Sequence, residues 1–259
     1  MKILRYLPLL LLFALLTAAD KPFVSENDHL TMAVLYHQQA PEYAALCYQT
    51  YNLATARMQQ TVRKKGSAER LAVVMDLDET VLDNSPYEAK CITDNIRYPA
   101  QWKEWCMLAK AEAIPGAVEF ILQAQKLGVQ VIYISNRKEE FREATKNNLQ
   151  SLGIPVAKDE DLLLRIKENE KESRRKEIAA RYEVILLIGD NLNDFSDIFE
   201  TARGEDRKNR IHDQKKSFGE KYIILPNAIY GDWEQALYTE PKMTPEQQRA
   251  ARYRGLKRF

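Results

Sequence analysis

The chain has 259 residues, of which 45% are hydrophobic and 29% are charged, a composition that excludes disordered, collagenous and disulfide-rich proteins. Thirty-eight Lys and Arg residues against 37 Asp and Glu residues give a formal charge of +1, so we expect no nucleic-acid polymer as a partner. The length suits one large domain, or one domain that carries an insertion.

Residues 1–19 have the three parts of a secretory signal peptide. Two basic residues precede the apolar run Leu7–Leu16, and small residues end the segment at Ala19. The run is shorter than the roughly 20 residues that span a bilayer, which favours cleavage after Ala19, with an uncleaved anchor as the alternative. No cysteine stands there to carry a lipid. We therefore expect a periplasmic or secreted domain of residues 20–259, without a stable membrane anchor after signal cleavage.

The chain contains three cysteines, at positions 47, 91 and 106. An odd number cannot pair completely within one chain. A Cys91–Cys106 disulfide is compatible with an oxidising compartment, and the alternative is that the cysteines are ordinary small buried side chains. Their spacing fits no metal-binding motif.

Helical spacing of apolar residues runs from His29 to Lys65, and Pro41 is predicted to divide it into two helices. The second of these helices carries a stripe that we expect to face the core: Tyr43, Leu46, Cys47, Tyr51 and Ala54. Packing is the commoner role of aromatic residues at this spacing, so we infer no ligand site from the stripe.

Four apolar runs further along the chain predict buried strands: Leu71–Met75, Val129–Ile134, Val184–Ile188 and Tyr222–Leu225. Helices are predicted between and after them: Pro115–Leu127, Lys138–Leu152, Glu168–Arg181 and a last one from Thr244. Alternating strands and helices predict an α/β fold, a Rossmann-like parallel sheet with helices on both faces. Residues 86–114 lack a strand pattern and are predicted to form a small cap-like insertion over the strand ends.

Polar residues follow three of the predicted strands: Asp76 and Asp78, then Ser135-Asn136-Arg137, then Asp190 to Asp194. Ligands of open α/β sheets bind where the carboxyl ends of the strands meet, so these groups should converge. Four crowded carboxylates repel one another unless a positive charge lies among them. With oxygen donors, and no His or Cys nearby, Mg²⁺ is the cation that this set favours.

Asp76 and Asp78 are two residues apart, so their side chains point to the same face of an extended segment. One carboxylate can then attack phosphorus and form an aspartyl phosphate, while the other handles a proton. A metal ion and a nearby cation would offset the charge of the phosphoryl group. An isolated Asp-x-Asp sequence often marks only a turn. Here it coincides with polar motifs that follow two further predicted strands.

The segments VVMDLDETVLDNSPY (73–87) and ILLIGDNLNDF (185–195) closely resemble the two signature segments of the class C bacterial acid phosphatases. These enzymes belong to the haloacid dehalogenase-like (HAD) superfamily of aspartate-nucleophile phosphohydrolases. The resemblance extends to APEYAALCYQTYNLA (40–54), similar to the family's N-terminal helix, and to FGEKYIILPNAIYGDWE (218–234), similar to its closing strand and loop. It implies a HAD fold with N-terminal helices, and Mg²⁺ as the cofactor.

The resemblance implies roles for the four aspartates. Asp76 matches the nucleophile, which is also a metal ligand. Asp78 matches the general acid and base that protonates the leaving alkoxide and then activates water, and its backbone carbonyl is a second metal ligand. Asp190 matches the third ligand, and Asp194 is expected to orient the lysine or a metal-bound water.

The resemblance also implies the groups that hold the phosphoryl oxygens. Ser135 matches the phosphate-binding hydroxyl, and Asn136 and Arg137 follow it in the substrate site. A lysine completes this set. The match favours Lys171, but Lys167 remains an alternative because the loop before Asp190 is about one residue shorter than the family pattern.

Two aromatic residues occupy positions that match an aromatic pair in the family, Trp102 in the insertion and Tyr230 near the closing strand. Two rings facing each other across a cleft would stack a nucleobase, and such stacking is worth about 1–3 kcal/mol per base. That arrangement favours nucleoside monophosphates, and it also accepts aryl phosphates. The competing interpretation is that Trp102 and Trp105 form a small core of the insertion.

The function expected from the sequence is an exported, Mg²⁺-dependent acid phosphatase that hydrolyses nucleoside monophosphates and other small phosphomonoesters. A 5'-nucleotidase activity and a homodimer are left open. One alternative is phosphotransfer to an alcohol from the same intermediate, and another is a non-catalytic storage or binding protein. Many family members are lipoproteins anchored through a cysteine, which this chain lacks at the cleavage site.

Overall fold

The computed structural model describes residues 25–155, 158–167, 170–200, 204–238, 240 and 242–259. The predicted signal peptide and its cleavage site lie outside the described residues. Within the described ranges, no helix combines the length and the apolar character needed to cross a membrane.

Five parallel strands form the central sheet, in the spatial order β5-β4-β1-β6-β7. The strands are β1 (Leu71–Met75), β4 (Gln130–Lys138), β5 (Leu162–Arg165), β6 (Glu183–Gly189) and β7 (Tyr222–Ile224). Two short strands, β2 (Leu82–Asp83) and β3 (Glu112–Ala113), pair antiparallel beside it. The α/β prediction is therefore confirmed, and β1 lies at the centre of the sheet.

Ten α-helices are described, and several are joined to the strands by short 3₁₀ turns. They are α1 (Thr31–Gln39), α2 (Pro41–Lys65), α3 (Ser85–Thr93), α4 (Trp102–Leu108), α5 (Ala117–Lys126), α6 (Arg142–Ser151), α7 (Glu172–Arg181), α8 (Gly204–Asp213), α9 (Asp232–Gln235) and α10 (Pro245–Gly255). The segment predicted as a cap-like insertion, 86–114, thus contains most of α3, all of α4 and β3.

Alternate residues of β1 point into two separate cores, which is why the whole strand is apolar. Val73 and Met75 pack in the core that α2 and α5 cover, whereas Ala72 and Val74 pack in the core that contains Ile178 of α7. A strand buried on both faces needs apolar residues at every position.

The division at Pro41 is confirmed. Ala40 has an extended ψ of 121°, which the following proline imposes, and it separates α1 from α2. Helix α2 ends at Lys65, and the Gly66 that follows has a φ of +73°, the left-handed conformation that favours glycine at a helix end.

The predicted core stripe of α2 is correct for four residues and wrong for Leu46. Tyr43, Cys47, Tyr51 and Ala54 are buried, whereas Leu46 is 40% exposed. At about 100° per residue, Leu46 lies roughly 100° from the centre of the stripe, so it falls on the flank of the helix.

Two strand predictions need correction. Strand β5, which has the sequence LLLR, was not predicted, and neither were the two-residue strands β2 and β3. Strand β4 continues through the polar residues to Lys138, so the helix predicted from that residue begins at Arg142. A strand can include polar residues at the end where it leaves the apolar core and reaches a functional site.

All three cysteines lie within the described residues and are buried free thiols. Cys91 is on α3 and Cys106 is on α4. Of the two interpretations made from the sequence, the structure therefore agrees with ordinary buried side chains and not with the disulfide.

Candidate active site

Asp76 is the first residue after β1, at the carboxyl edge of the sheet. Its backbone N–H donates to the carbonyl of Ile188 on β6 at 2.9 Å, so the residue is held as a continuation of the central strand. The side chain is largely buried and lines the cleft described below. A carboxylate in this position is held by the most rigid part of the fold.

Lys171 lies directly before α7 and contacts two of the four aspartates. Its Nζ donates to Oδ1 of Asp76 at 2.6 Å and to Oδ1 of Asp194 at 2.7 Å. The lysine is buried, whereas Lys167, the alternative left open from the sequence, is exposed. The structure brings Lys171, and not Lys167, to Asp76.

Asp190 follows β6 and accepts two hydrogen bonds from neighbouring loops. Thr80 Oγ1 donates to its Oδ1 at 3.3 Å, and Asn227 Nδ2 donates to its Oδ2 at 2.8 Å. Neither donor was singled out from the sequence, although both lie inside the segments that carry the family resemblance.

Asp194 is fixed by the turn that follows β6. Its Oδ2 accepts from the backbone N–H of Asn191 at 2.9 Å, and the Asn191 side chain accepts in return from Asn193 at 3.3 Å. A Cβ atom at Gly189 would lie 2.3 Å from Oδ2 of Asp194. Glycine is therefore required here so that Asp194 can reach Lys171.

The three carboxylates carry more negative charge than one lysine can neutralise. Asp76, Asp190 and Asp194 each place one oxygen within 4.8 Å of the others. Burial raises the pKa of Asp190 to about 7, and Asp194 adds to the shift. Burial also raises the pKa of Asp76 well above its usual range, against the opposing effect of Lys171. This set of hard oxygen donors, with its uncompensated charge, fits a divalent cation.

Asp78 accepts hydrogen bonds from a different set of residues than Asp76 does. Arg137 Nε donates to its Oδ1 at 2.8 Å, Asn84 Nδ2 donates to the same oxygen at 2.9 Å, and Ser135 Oγ donates to Oδ2 at 3.3 Å. The two aspartates predicted to share the chemistry therefore have distinct surroundings. One is paired with a lysine among carboxylates, and the other is paired with a buried arginine.

The polar residues near the carboxyl end of β4 are engaged with the protein itself. Ser135 is fully buried and the Arg137 side chain is 1% exposed, so both support Asp78. Asn136 is exposed, and its Oδ1 accepts from Arg174 Nη2 at 2.7 Å. Arg174 also donates to the Ser135 carbonyl at 2.7 Å. The sequence of the charged segment 166–176 did not distinguish Arg174 from its charged neighbours. Phosphate binding by Ser135, Asn136 and Arg137 stays a prediction.

An open cleft of about 780 Å³ extends outward from these groups. Asp76, Asp78, Lys171 and both predicted aromatic residues, Trp102 and Tyr230, line it.

The two aromatic side chains are anchored by their neighbours. Trp102 meets the rings of Tyr87 and Tyr98 edge to face, with ring centroids 4.9 and 5.9 Å away. The hydroxyl of Tyr230 donates to the buried carboxylate of Glu79. Trp105 packs against the main core, whereas Trp102 both packs on Tyr87 and Tyr98 of the insertion and lines the cleft.

The comparisons with known proteins agree with this geometry. Residues 22–233 match the family model described as HAD superfamily, subfamily IIIB (acid phosphatase). A class C acid phosphatase from Bacillus anthracis is 40% identical, with a TM-score of 0.85 over 90% of this chain and 99% of that chain. Its structure with tungstate bound gives 41% identity and a TM-score of 0.86, covering 90% of this chain and 98% of that chain.

Plant proteins are similar over shorter segments. The stem 31 kDa glycoprotein of Glycine max is 25% identical over 61% of this chain and 57% of its own length. Vegetative storage protein 1 of Arabidopsis thaliana is 35% identical over 31% of each chain. The matches thus span between about a third and somewhat more than half of these relatives.

The family match covers most of the chain, and the class C phosphatase structures align over nearly their whole length. The parallel sheet of the α/β fold and the aspartates at its carboxyl edge are features that the sequence resemblance implied. This chain belongs to the HAD superfamily, subfamily IIIB, the acid phosphatase family, and is a homologue of the class C acid phosphatases.

Proposed function

We propose that the protein is a Mg²⁺-dependent phosphomonoesterase that works through an aspartyl phosphate at Asp76. The observation that carries the proposal is the position of Asp76, which lines the cleft and contacts Lys171, two residues before the separately held Asp78. The family match supports the same chemistry.

Two steps follow from this arrangement. In the first, a carboxylate oxygen of Asp76 attacks phosphorus, the bond from phosphorus to the ester oxygen breaks, and Asp78 gives its proton to the leaving alkoxide. In the second, Asp78 takes a proton from water while the water oxygen attacks the same phosphorus. This releases inorganic phosphate and restores the Asp76 carboxylate. Lys171 stabilises the negative charge on the phosphoryl oxygens in both steps.

The carboxylates of Asp76 and Asp190 and the backbone carbonyl of Asp78 would hold the cation. Asp194, paired with Lys171 at 2.7 Å, would orient that lysine. A bound Mg²⁺ supplies charge neutralisation for the phosphoryl group as it approaches a site that is otherwise negative.

We expect the metal-free protein to lose stability as the pH rises from about 4 to about 7. Folding raises the pKa of Asp190 from 3.8 to about 7. Between these values the folded state binds more protons than the unfolded state, so the free energy of unfolding falls as pH rises. The slope is at most about 1.4 kcal/mol per pH unit for one proton.

Thermal unfolding in EDTA at stepped pH measures this slope, and Asp190→Asn isolates the contribution of that carboxyl. Wild type should lose more stability than the variant across the window, and saturating Mg²⁺ should flatten the wild-type slope. Equal slopes in the two proteins would contradict the prediction.

The aromatic residues Trp102 and Tyr230 support nucleoside monophosphates as substrates. With stacking worth about 1–3 kcal/mol, we expect Trp102→Ala to lower kcat/KM for AMP by about tenfold or more. Hydrolysis of glycerol 2-phosphate, which has no ring, should change little. Trp233→Ala is the matched control, because it removes a half-exposed tryptophan three residues after Tyr230. This variant should retain the preference for AMP over glycerol 2-phosphate. An equal loss of kcat/KM on both substrates in Trp102→Ala would show that Trp102 does not stack the base.

The activity itself is tested by phosphate release from AMP and p-nitrophenyl phosphate, with Mg²⁺ and with EDTA. EDTA-sensitive turnover that prefers AMP supports the metal, the nucleophile and the nucleotide preference. Turnover of the aryl ester alone retains the chemistry and rejects the nucleotide preference. No turnover on either ester across a range of pH favours the storage or binding protein.

The proposal includes export from the cytoplasm. It is supported by the basic start, apolar run and small-residue end of residues 1–19. Fractionation with mass analysis of the isolated protein tests this part. A mature chain that starts at Asp20, outside the cytoplasm, is expected, and an intact chain in the cytoplasm would contradict it.

A further inference from the structure

Behind the cleft, the side chain of Asn84 joins the groups that surround Asp78. Asn84 is fully buried at the start of α3. Its Nδ2 donates to Oδ1 of Asp78 at 2.9 Å. Its Oδ1 accepts from Nη2 of Arg137 at 3.1 Å and from Nε1 of Trp105 at 2.8 Å.

The orientation of this amide follows from the chemistry of its partners. An indole N–H and a guanidinium can only donate, so the carbonyl end of Asn84 must face Trp105 and Arg137. The NH₂ end is then left facing two carboxylates, Oδ1 of Asp78 at 2.9 Å and Oε2 of the buried Glu79 at 3.4 Å. The backbone N–H of Asn84 is also fixed, because it donates to Oε1 of the buried Glu79 at 2.8 Å. Of the other side chains of this size, an ionised Asp offers acceptors alone and Leu offers neither a donor nor an acceptor.

The two oxygens of Asp78 are unequal as a result. Oδ1 accepts from both Arg137 Nε at 2.8 Å and Asn84 Nδ2 at 2.9 Å. Oδ2 meets the hydroxyl of Ser135, at 3.3 Å, a group that can donate or accept. Oδ1 therefore has both of its lone pairs engaged by donors, whereas Oδ2 has the Ser135 hydroxyl as its one side-chain partner and is the less engaged oxygen.

We propose that Asn84 is a positioning residue that fixes Asp78 with Oδ2 as the proton-transferring oxygen. Through Trp105 it also ties this orientation to helix α4 of the insertion. The inference rests on the proposed function, because it assigns proton transfer to Asp78.

Asn84→Asp tests the donor function of the Asn84 side chain separately from its acceptor function. It retains an oxygen for Trp105 and Arg137 and replaces the donor to Asp78 with a second carboxylate oxygen, whose repulsion turns Asp78 away. Proton transfer commonly contributes 10²-fold or more, and an alkoxide needs it more than p-nitrophenolate does. We expect kcat on glycerol 2-phosphate to fall about 100-fold, kcat on p-nitrophenyl phosphate to fall less than about tenfold, and both KM values to change less than about threefold.

Asn148→Asp is the matched control. Asn148 is also buried, and its amide bridges the backbone N–H and carbonyl of Ala111 at 3.0 and 2.8 Å. The same chemical change there should lower thermal stability without altering the ratio of kcat values for the two esters. An equal fall on both esters in Asn84→Asp, or a fall only in thermal stability, would overturn the proposal.

A second measurement does not depend on turnover. Crystal structures of wild type and Asn84→Asp should differ in the Asp78 side chain, which loses its contact with the amide and rotates, while Trp105 keeps its hydrogen bond to residue 84. An unmoved Asp78 would overturn the inference. An inactive wild type with a rotated Asp78 in the variant would instead reject the proposed function and keep the positioning role.

Discussion

Asp76→Asn should abolish phosphate release, by about 10⁴-fold or more, while the protein stays folded. The amide cannot form the acyl phosphate, and removal of a nucleophile typically costs several orders of magnitude in kcat. The substitution removes one of three crowded carboxylates and leaves the contact between Lys171 and Asp194 at 2.7 Å intact. Thermal stability in EDTA should therefore equal or exceed that of wild type. Phosphate release from AMP, measured with thermal unfolding, checks both parts.

Asp161→Asn is the control for this variant. Asp161 is also a buried aspartate, and burial raises the pKa of its carboxyl, but it lies beside the edge strand β5. The same isosteric change there should leave turnover unchanged. Turnover that survives in Asp76→Asn would show that Asp76 is not the nucleophile.

Lys171→Met should lower both activity and stability. Its Nζ contacts Asp76 and Asp194 at 2.6 and 2.7 Å, and these contacts, against the opposing effect of burial, raise its pKa above the usual range. Loss of one partner from a buried ion pair costs about 3–5 kcal/mol. Loss of a group that stabilises transition-state charge costs about 10²–10³-fold in kcat. Rates at saturating Mg²⁺ and denaturant unfolding in EDTA measure the two effects.

Lys167→Met is the matched control, because it removes the same charge from an exposed side chain four residues earlier. It should leave kcat and the free energy of unfolding unchanged. If Lys167→Met caused the larger loss of activity, Lys167 would be the lysine of the site and the assignment made here would be wrong.

Periodicity and apolar runs were sufficient for most of the sheet. Leu71–Met75 is buried on both faces, so its sequence carries a clear signal, and its predicted bounds match β1. Strand β5 was missed although the shorter strand β7, at the opposite edge of the sheet, was predicted from its apolar run, so strand length and edge position alone do not explain the difference. Leu46 shows a related limit, because an apolar residue on the flank of a helix resembles one on its buried face.

The site residues that could be predicted from the sequence are mainly those that directly follow a strand. Asp76, Asp78, Asp190 and Asp194 do meet at the carboxyl edge of the sheet, together with Lys171. Asn84 and Arg174 were not predicted, since their importance comes from contacts across the fold, to Trp105 and to Ser135 respectively. No spacing within the sequence encodes those contacts.

The central claim is that a covalent phosphoryl group forms on Asp76. Rapid mixing of the enzyme with AMP, followed by acid quench and borohydride reduction, converts an aspartyl phosphate to homoserine. Peptide sequencing by mass spectrometry then distinguishes residue 76 from residue 78. We expect homoserine at position 76 in wild type, and none in Asp76→Asn. Homoserine at position 78, or phosphate release from AMP without any reduced aspartate, would contradict the account.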